Sequence, residues 1–137
     1  MKNQASAVWK GTGVDGSGNL NTTSGVLKNT PYSYKSRTEK TGSTNPEELI
    51  AAAHAGCFAM KLAFAFSAAG YTPDTLETEC EVSFEAGEIK SSALTIKAKI
   101  KGIPESEFKE IVEDAGHNCP VSQMMKAPVT VKSAILN

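Results

Sequence analysis

An excess of charge of one sign is missing from this sequence of 137 residues, in which 14 Lys and Arg face 15 Asp and Glu. A formal net charge of −1 gives no electrostatic basis for binding nucleic acid or an anionic membrane. The opening residues, MKNQASAVWKGTG, lack the apolar run of a secretory signal, which favours a cytoplasmic location. Phosphate-binding loops and nucleotide motifs are also missing, so no cofactor is expected.

Signs of disorder or of a second domain are equally scarce. Hydrophobic residues make up 40% of the chain and charged residues 21%, which is ordinary for a globular protein. The length suits a single domain over residues 1–137, and neither an internal repeat nor a linker interrupts it.

One long apolar segment, residues 49–69, is long enough to raise the question of a membrane span. It contains His54 and Lys61, and no second long apolar segment exists with which a charge in the membrane could pair. The segment is therefore predicted to be a core helix that is buried on most faces.

The ends of this helix carry recognisable signals. Asn45 is predicted as the N-cap, Pro46 as the first helical residue, and Glu48 as an acid that reaches back to the cap. Gly70 is a natural stop.

The rest of the chain alternates between strand and helix patterns. The first third predicts a β-meander of SAVWK, LNTTSGVL and YSYKSR, separated by turns at DGSGN and NTP. Period-two alternation predicts two strands, over 76–85 with an acidic outer face and over 94–101 with a basic one, joined near Ala86, Gly87 and Glu88. A helix from Pro104 to Gly116, a helical turn from Cys119 to Met125, and a strand from Val129 to Leu136 follow. The predicted class is α+β, with antiparallel strands packed on the central helix.

The three cysteines have different local settings. Cys80 lies on the apolar face of a strand, where a free cysteine serves as a small hydrophobic residue. Cys57 lies within the apolar helix, where burial raises the pKa of a thiol, so that reactivity would need a cation such as Arg37 of the preceding strand. Cys119 precedes Pro120, which places its sulfur near a helix N-terminus and favours the thiolate. Packing remains an alternative for Cys57, and a turn cap for Cys119.

Two histidines allow a metal-binding alternative. His54 and His117 together with Cys57 and Cys119 would complete a tetrahedral zinc set. The spacing argues against zinc, because His117 and Cys119 do not follow the usual separation of paired ligands. A zinc-binding or non-enzymatic stress protein that uses this Cys/His set stays the alternative function.

Three segments closely resemble the OsmC branch of the OsmC/Ohr peroxidase family: TNPEELIAAAHAGCF at 44–58, SGVL at 24–27 and NCPVSQMMKA at 118–127. The likeness extends over nearly the whole chain. It implies an OsmC-like α+β fold in which two chains intertwine as a homodimer, with active sites at the dimer interface.

The resemblance also implies a role for each matched residue. Cys57 would attack an organic hydroperoxide, with hydrogen peroxide as a further candidate substrate, and Cys119 would resolve the sulfenic acid as a disulfide. Arg37 would stabilise the thiolate and Glu47 would hold Arg37. A dithiol of lipoyl type or a small thiol would supply electrons, in defence against oxidative or osmotic stress. His54 belongs to the matching stretch, but no chemistry is assigned to it.

Overall fold

The structure, a computed structural model, describes residues 1–136 and comprises two compact units, residues 1–49 and residues 50 onward. In chain order the elements are β1 (Ala5–Lys10), β2 (Ser17–Thr22), β3 (Thr30–Tyr32), a 3₁₀ helix (Lys35–Arg37), α1 (Pro46–Ala68), β4 (Thr75–Glu85), β5 (Glu88–Lys99), α2 (Glu105–Asn118), α3 (Pro120–Met124) and β6 (Val129–Ile135). Helix α1 begins in the first unit and continues in the second.

The first unit contains the predicted β-meander, an antiparallel sheet in the order β1-β2-β3. Its second strand starts at Ser17, inside the segment that was expected to be a turn. Gly18 explains the difference, because Trp9 and Tyr32 pack against each other with ring centroids 5.3 Å apart. A Cβ on Gly18 would lie 2.7 Å from the Trp9 ring, so this strand position needs glycine.

The segment YSYKSR was expected to be the third strand, and that prediction is wrong. The strand is Thr30–Tyr32, and Arg37 ends a 3₁₀ helix. The Ser36 hydroxyl is 2.6 Å from the carbonyl oxygen of Ser33 and 2.7 Å from that of Thr44. Such local side-chain bonds stabilise a turn in competition with a strand.

Helix α1 begins and ends close to the predicted residues. The Asn45 side chain caps it, because its Oδ1 accepts the Glu48 N–H at 2.9 Å. The Glu48 carboxylate accepts a hydrogen bond from the Thr44 hydroxyl at 2.7 Å, whereas a bond to the backbone of the cap residue was expected. Gly70, at φ +91°, follows the last turn, in which the Tyr71 N–H donates to the Phe66 carbonyl.

Within one chain, α1 is not buried on most faces as expected. In the second unit its buried positions recur every four residues, at His54, Phe58, Leu62 and Phe66. On other faces Met60 is 65% exposed and Phe64 is 73% exposed. By length and composition α1 is also apolar enough to cross a membrane. Across residues 1–136, apolar side chains of α1 therefore remain exposed.

The second unit is built on a sheet in the order β4-β5-β6. Strands β4 and β5 form the predicted hairpin, whose turn residues Ala86 and Gly87 both have positive φ. Glu77 lies directly opposite Lys97, so the acidic outer face of β4 is paired with the basic outer face of β5.

The third strand of this sheet, β6, runs parallel to β5, whereas antiparallel strands were expected throughout. The crossover through α2 and α3 accounts for this direction, because a parallel pair needs a long connection. The core of the unit lies between the sheet and the helices and includes Phe66 and Phe108, whose rings stack with centroids 5.8 Å apart.

Helix α2 buries the predicted residues Phe108, Val112 and Ala115 but continues past Gly116 to Asn118. Gly116 was expected to end the helix; instead it allows α2 to approach β6. A Cβ at Gly116 would lie 3.3 Å from Val131 Cγ1 and nearer still to Cγ2. The glycine therefore serves close packing rather than helix termination.

Candidate functional site

The structure brings together two of the cysteines, both in the second unit. Cys57 is half-buried on α1, and Cys119 is fully buried immediately before α3. The Cys119 thiol and the backbone N–H of Val121 lie near the Cys57 sulfur, and both act on the pKa of the Cys57 thiol. Cys119, between α2 and α3, thus sets its thiol near the Cys57 sulfur, and Val121 within α3 supplies the backbone donor.

Burial is the main influence on Cys57 and raises the pKa of its thiol. The Val121 N–H lowers this pKa, the neighbouring Cys119 thiol raises it, and Lys61 lowers it slightly. Burial is the largest of these influences, so the net direction is a raised pKa for the Cys57 thiol. The need for an additional cation remains a prediction.

Cys119 occupies the predicted place at the start of a helix. It is the N-cap residue of α3, and Pro120 is the first helical residue. Its sulfur does not cap the helix but lies 3.1 Å from the Ser122 hydroxyl. The sulfur is thereby fixed by a side chain one turn later in the chain.

Arg37 and Glu47 form a two-pronged ion pair within the first unit. Arg37 Nε lies 2.9 Å from Glu47 Oε2, and Nη2 lies 2.9 Å from Oε1. The hydrogen bond to Glu47 is the largest influence on the guanidinium and raises the pKa of Arg37. Glu47, in the first turn of α1, thus fixes the orientation of Arg37. The role of Arg37 toward Cys57 remains a prediction.

His54 lies at the centre of a hydrogen-bond network that the sequence did not indicate. Its Nδ1 is 2.6 Å from the Ser92 hydroxyl, and its Nε2 is 2.6 Å from the Ser122 hydroxyl. Ser92 also contacts the Cys80 sulfur at 3.2 Å, and Ser122 contacts Cys119. The available signal was a histidine on the helix stripe that otherwise holds apolar core residues.

The third cysteine is linked to the thiol pair through the hydrogen bonds around His54, and the second histidine lies on the surface. Cys80 packs against the core from β4, as predicted for a structural residue, and burial raises the pKa of its thiol. His117 is exposed on α2, with its Nε2 3.3 Å from Glu113. Across residues 1–136, no group of three or more His, Cys, Asp or Glu side chains is arranged to hold a metal ion.

Fold and site together define a class: a small α+β protein in which a half-buried thiol on a long helix meets a fully buried second thiol. A family model described as OsmC-like protein matches residues 38–134. The chain belongs to this OsmC family.

A similar curated protein is peroxiredoxin OsmC of Escherichia coli K12, which is 41% identical over 129 residues. The match covers 91% of this chain and 90% of the relative. The expected resemblance to the OsmC branch is thereby confirmed.

Solved structures agree in fold. The organic hydroperoxide resistance protein OhrB of Bacillus subtilis is 25% identical, with a TM-score of 0.66 over 97% of this chain and 98% of its own. An OsmC-like protein of Mycoplasma pneumoniae is 15% identical, with a TM-score of 0.77 over 100% of this chain and 99% of its own. The second likeness concerns the fold alone.

Proposed function

We propose that this chain is a cysteine-based peroxidase that reduces organic hydroperoxides through Cys57 and Cys119. The observation that carries the proposal is the proximity of the two thiols, with Cys57 the more accessible of the pair. The names of the relatives, peroxiredoxin and organic hydroperoxide resistance protein, support the same activity.

The proposed reaction has two steps in the protein. The Cys57 thiolate attacks the O–O bond of the peroxide, which yields a Cys57 sulfenic acid and, after protonation, the alcohol. The Cys119 sulfur then attacks the sulfenic sulfur, the S–O bond breaks, and water leaves as the disulfide forms. A nearby second thiol protects the sulfenic acid from further oxidation, and the contact between the two residues serves that purpose.

Arg37 is proposed to supply Cys57 with a positive charge in addition to Lys61, because burial raises the pKa of the thiol in spite of Lys61. A guanidinium stays charged at any working pH, so it can favour the thiolate and the oxygen anion that leaves. Glu47 would contribute by orienting Arg37 through the two bonds of 2.9 Å.

The proposal is tested by peroxide consumption with purified protein, a dithiol and cumene hydroperoxide. Cys57→Ser should abolish consumption, whereas Cys119→Ser should form the Cys57 sulfenic acid with one equivalent of peroxide and overoxidise it to the sulfinic acid with a further one, detected by mass spectrometry. Cys80→Ser is the matched control, because it replaces the third thiol and leaves a hydroxyl for Ser92. Full activity in Cys57→Ser would refute the proposal.

We also propose that two copies of this chain form a homodimer through α1. Met60 and Phe64 are large apolar side chains left exposed on a helix that the single chain covers only along one stripe. Sedimentation equilibrium should give about twice the 14.5 kDa of the chain. Phe64→Lys should lower that mass toward the monomer, and an unchanged dimer would place the contact elsewhere.

The natural reductant is proposed to be a dithiol of lipoyl type or a small thiol, because the disulfide must be reopened by thiol exchange. Three free cysteines suit the reducing cytoplasm, which is the proposed compartment. The proposed role is defence against oxidative or osmotic stress, with hydrogen peroxide as a further substrate.

A further inference from the structure

We infer that His54 is a positioning residue for the resolving step: it holds the Ser122 hydroxyl against Cys119, so that Cys119 is set for attack on oxidised Cys57. The inference rests on the proposed peroxidase function. It adds a hydrogen-bond network formed by side chains of α1, β5 and α3. It gives a role to a fully buried titratable side chain that the proposed reaction does not use.

The hydrogen bonds around Ser122 assign the state of His54. A serine hydroxyl donates one hydrogen bond and accepts two. Ser122 donates to the Gly116 carbonyl at 2.5 Å, so its two other partners must donate to it. These donors are the Nε2–H of His54 at 2.6 Å and the thiol of Cys119 at 3.1 Å. Nε2 therefore carries the proton.

The other side of the ring follows from this assignment. Burial lowers the pKa of His54, which keeps the imidazole neutral, and its Nδ1 must then accept from the Ser92 hydroxyl. Ser92 in turn accepts from the thiol of Cys80. The imidazole is therefore held from both sides, and neither nitrogen is free to turn away from its serine.

The network is enclosed as well as complete. His54 and Ser92 are fully buried, and Ser122 is 7% exposed. Within the described residues 1–136, no buried side-chain nitrogen or oxygen lacks a hydrogen-bond partner. A buried network in which every member is paired is rigid, because breaking one bond leaves a polar atom without water.

The same groups can stabilise Cys119 after it has lost its proton. When Cys119 becomes a thiolate, the Ser122 hydroxyl can rotate from the Gly116 carbonyl to donate to the sulfur, while His54 Nε2–H still donates to Ser122. The thiolate sulfur then attacks the Cys57 sulfenic sulfur, the S–S bond forms and the S–O bond breaks. The departing hydroxide takes up the proton that Cys119 released, so the products are the disulfide and water.

Two substitutions of His54 distinguish the contributions of its two ring nitrogens. The amide of glutamine reaches the position of Nε2, so His54→Gln can keep the donor to Ser122 while it loses Ser92. The shorter asparagine reaches the position of Nδ1, so His54→Asn keeps Ser92 and loses Ser122. Ser122→Ala and Ser92→Ala form a second pair, in which each removes one buried hydroxyl beside His54 but only Ser122 touches Cys119.

The test is a single turnover of reduced protein with one equivalent of cumene hydroperoxide, sampled by rapid quench. Dimedone adducts measure the Cys57 sulfenic acid, and intact mass measures the disulfide. His54→Asn and Ser122→Ala should slow disulfide formation about tenfold, the effect of one lost hydrogen bond. His54→Gln and Ser92→Ala should stay within about threefold of the parent protein, and sulfenic acid formation should be unchanged in all four.

Equal rates of disulfide formation in His54→Asn and His54→Gln would overturn the inference. So would a parallel loss of both steps, which would indicate a merely structural role. If His54→Asn fails to fold, Ser122→Ala is compared with Ser92→Ala, and equal rates of disulfide formation in these two variants would overturn the inference. A parent protein that forms no sulfenic acid or disulfide would instead refute the proposed function, and the inference with it.

Discussion

Replacing Gly116 by alanine inserts a methyl group where α2 touches β6. The new Cβ would lie 3.3 Å from Val131 Cγ1 and nearer to Cγ2, inside the range that real contacts avoid. Overpacking of this kind costs about 1–3 kcal/mol, while alanine gains about 0.8 kcal/mol over glycine in a helix. The net expectation is a loss of about 1 kcal/mol in the free energy of unfolding.

Gly56 offers the matched control, because it also lies within a helix but has no atom within 4 Å of the position of a Cβ. Gly56 shares a helix face with Met60 and Phe64, so all variants are compared in the Phe64→Lys background, where the proposed dimer contact is weakened. There Gly56→Ala should stabilise the protein by about 0.8 kcal/mol. Val131→Ala removes both methyl groups that obstruct the Gly116 position. In that background Gly116→Ala should be neutral or stabilising, which gives a coupling energy of about 2 kcal/mol.

Urea unfolding at one fixed protein concentration measures all five proteins, since an oligomer makes stability depend on concentration. A Gly116→Ala variant as stable as Gly56→Ala would refute the packing argument. Additive effects of Gly116→Ala and Val131→Ala would refute it as well.

Two further predictions concern titration. Burial raises the pKa of Cys57, and the proposed charge of Arg37 would lower it again. Iodoacetamide labelling should therefore reach half its maximal rate at a lower pH in the parent protein than in Arg37→Met. Equal pH profiles would show that Arg37 does not act on Cys57. Burial lowers the pKa of His54, so the unfolded chain binds the proton more readily and stability should fall as pH drops below about 6.5. In His54→Gln the free energy of unfolding should fall less steeply between pH 7 and pH 5, as measured by urea titrations. An unchanged slope would show that other groups cause the pH dependence.

Local rules account for what could be predicted of the fold. Asn45 begins α1 because its side chain satisfies a backbone N–H within the same turn, and a two-residue turn joins β4 to β5. Alternation placed Cys80 on the inner face of β4. Local rules failed at two places. At Gly18 the rings of Trp9 and Tyr32 require glycine within a strand. Before Arg37 the hydrogen bonds of the Ser36 hydroxyl stabilise a turn in place of a strand.

The amino-acid sequence by itself determined the helix of Cys57, the helix start at Cys119 and, through its family motifs, the pairing of these residues as a candidate site. Only the tertiary structure decided what surrounds them. His54 is 38 residues from Ser92 and 68 from Ser122, and Gly116 needs Val131 from another element. No periodicity or capping rule acts over such separations, because these contacts exist only after helices and sheet have packed.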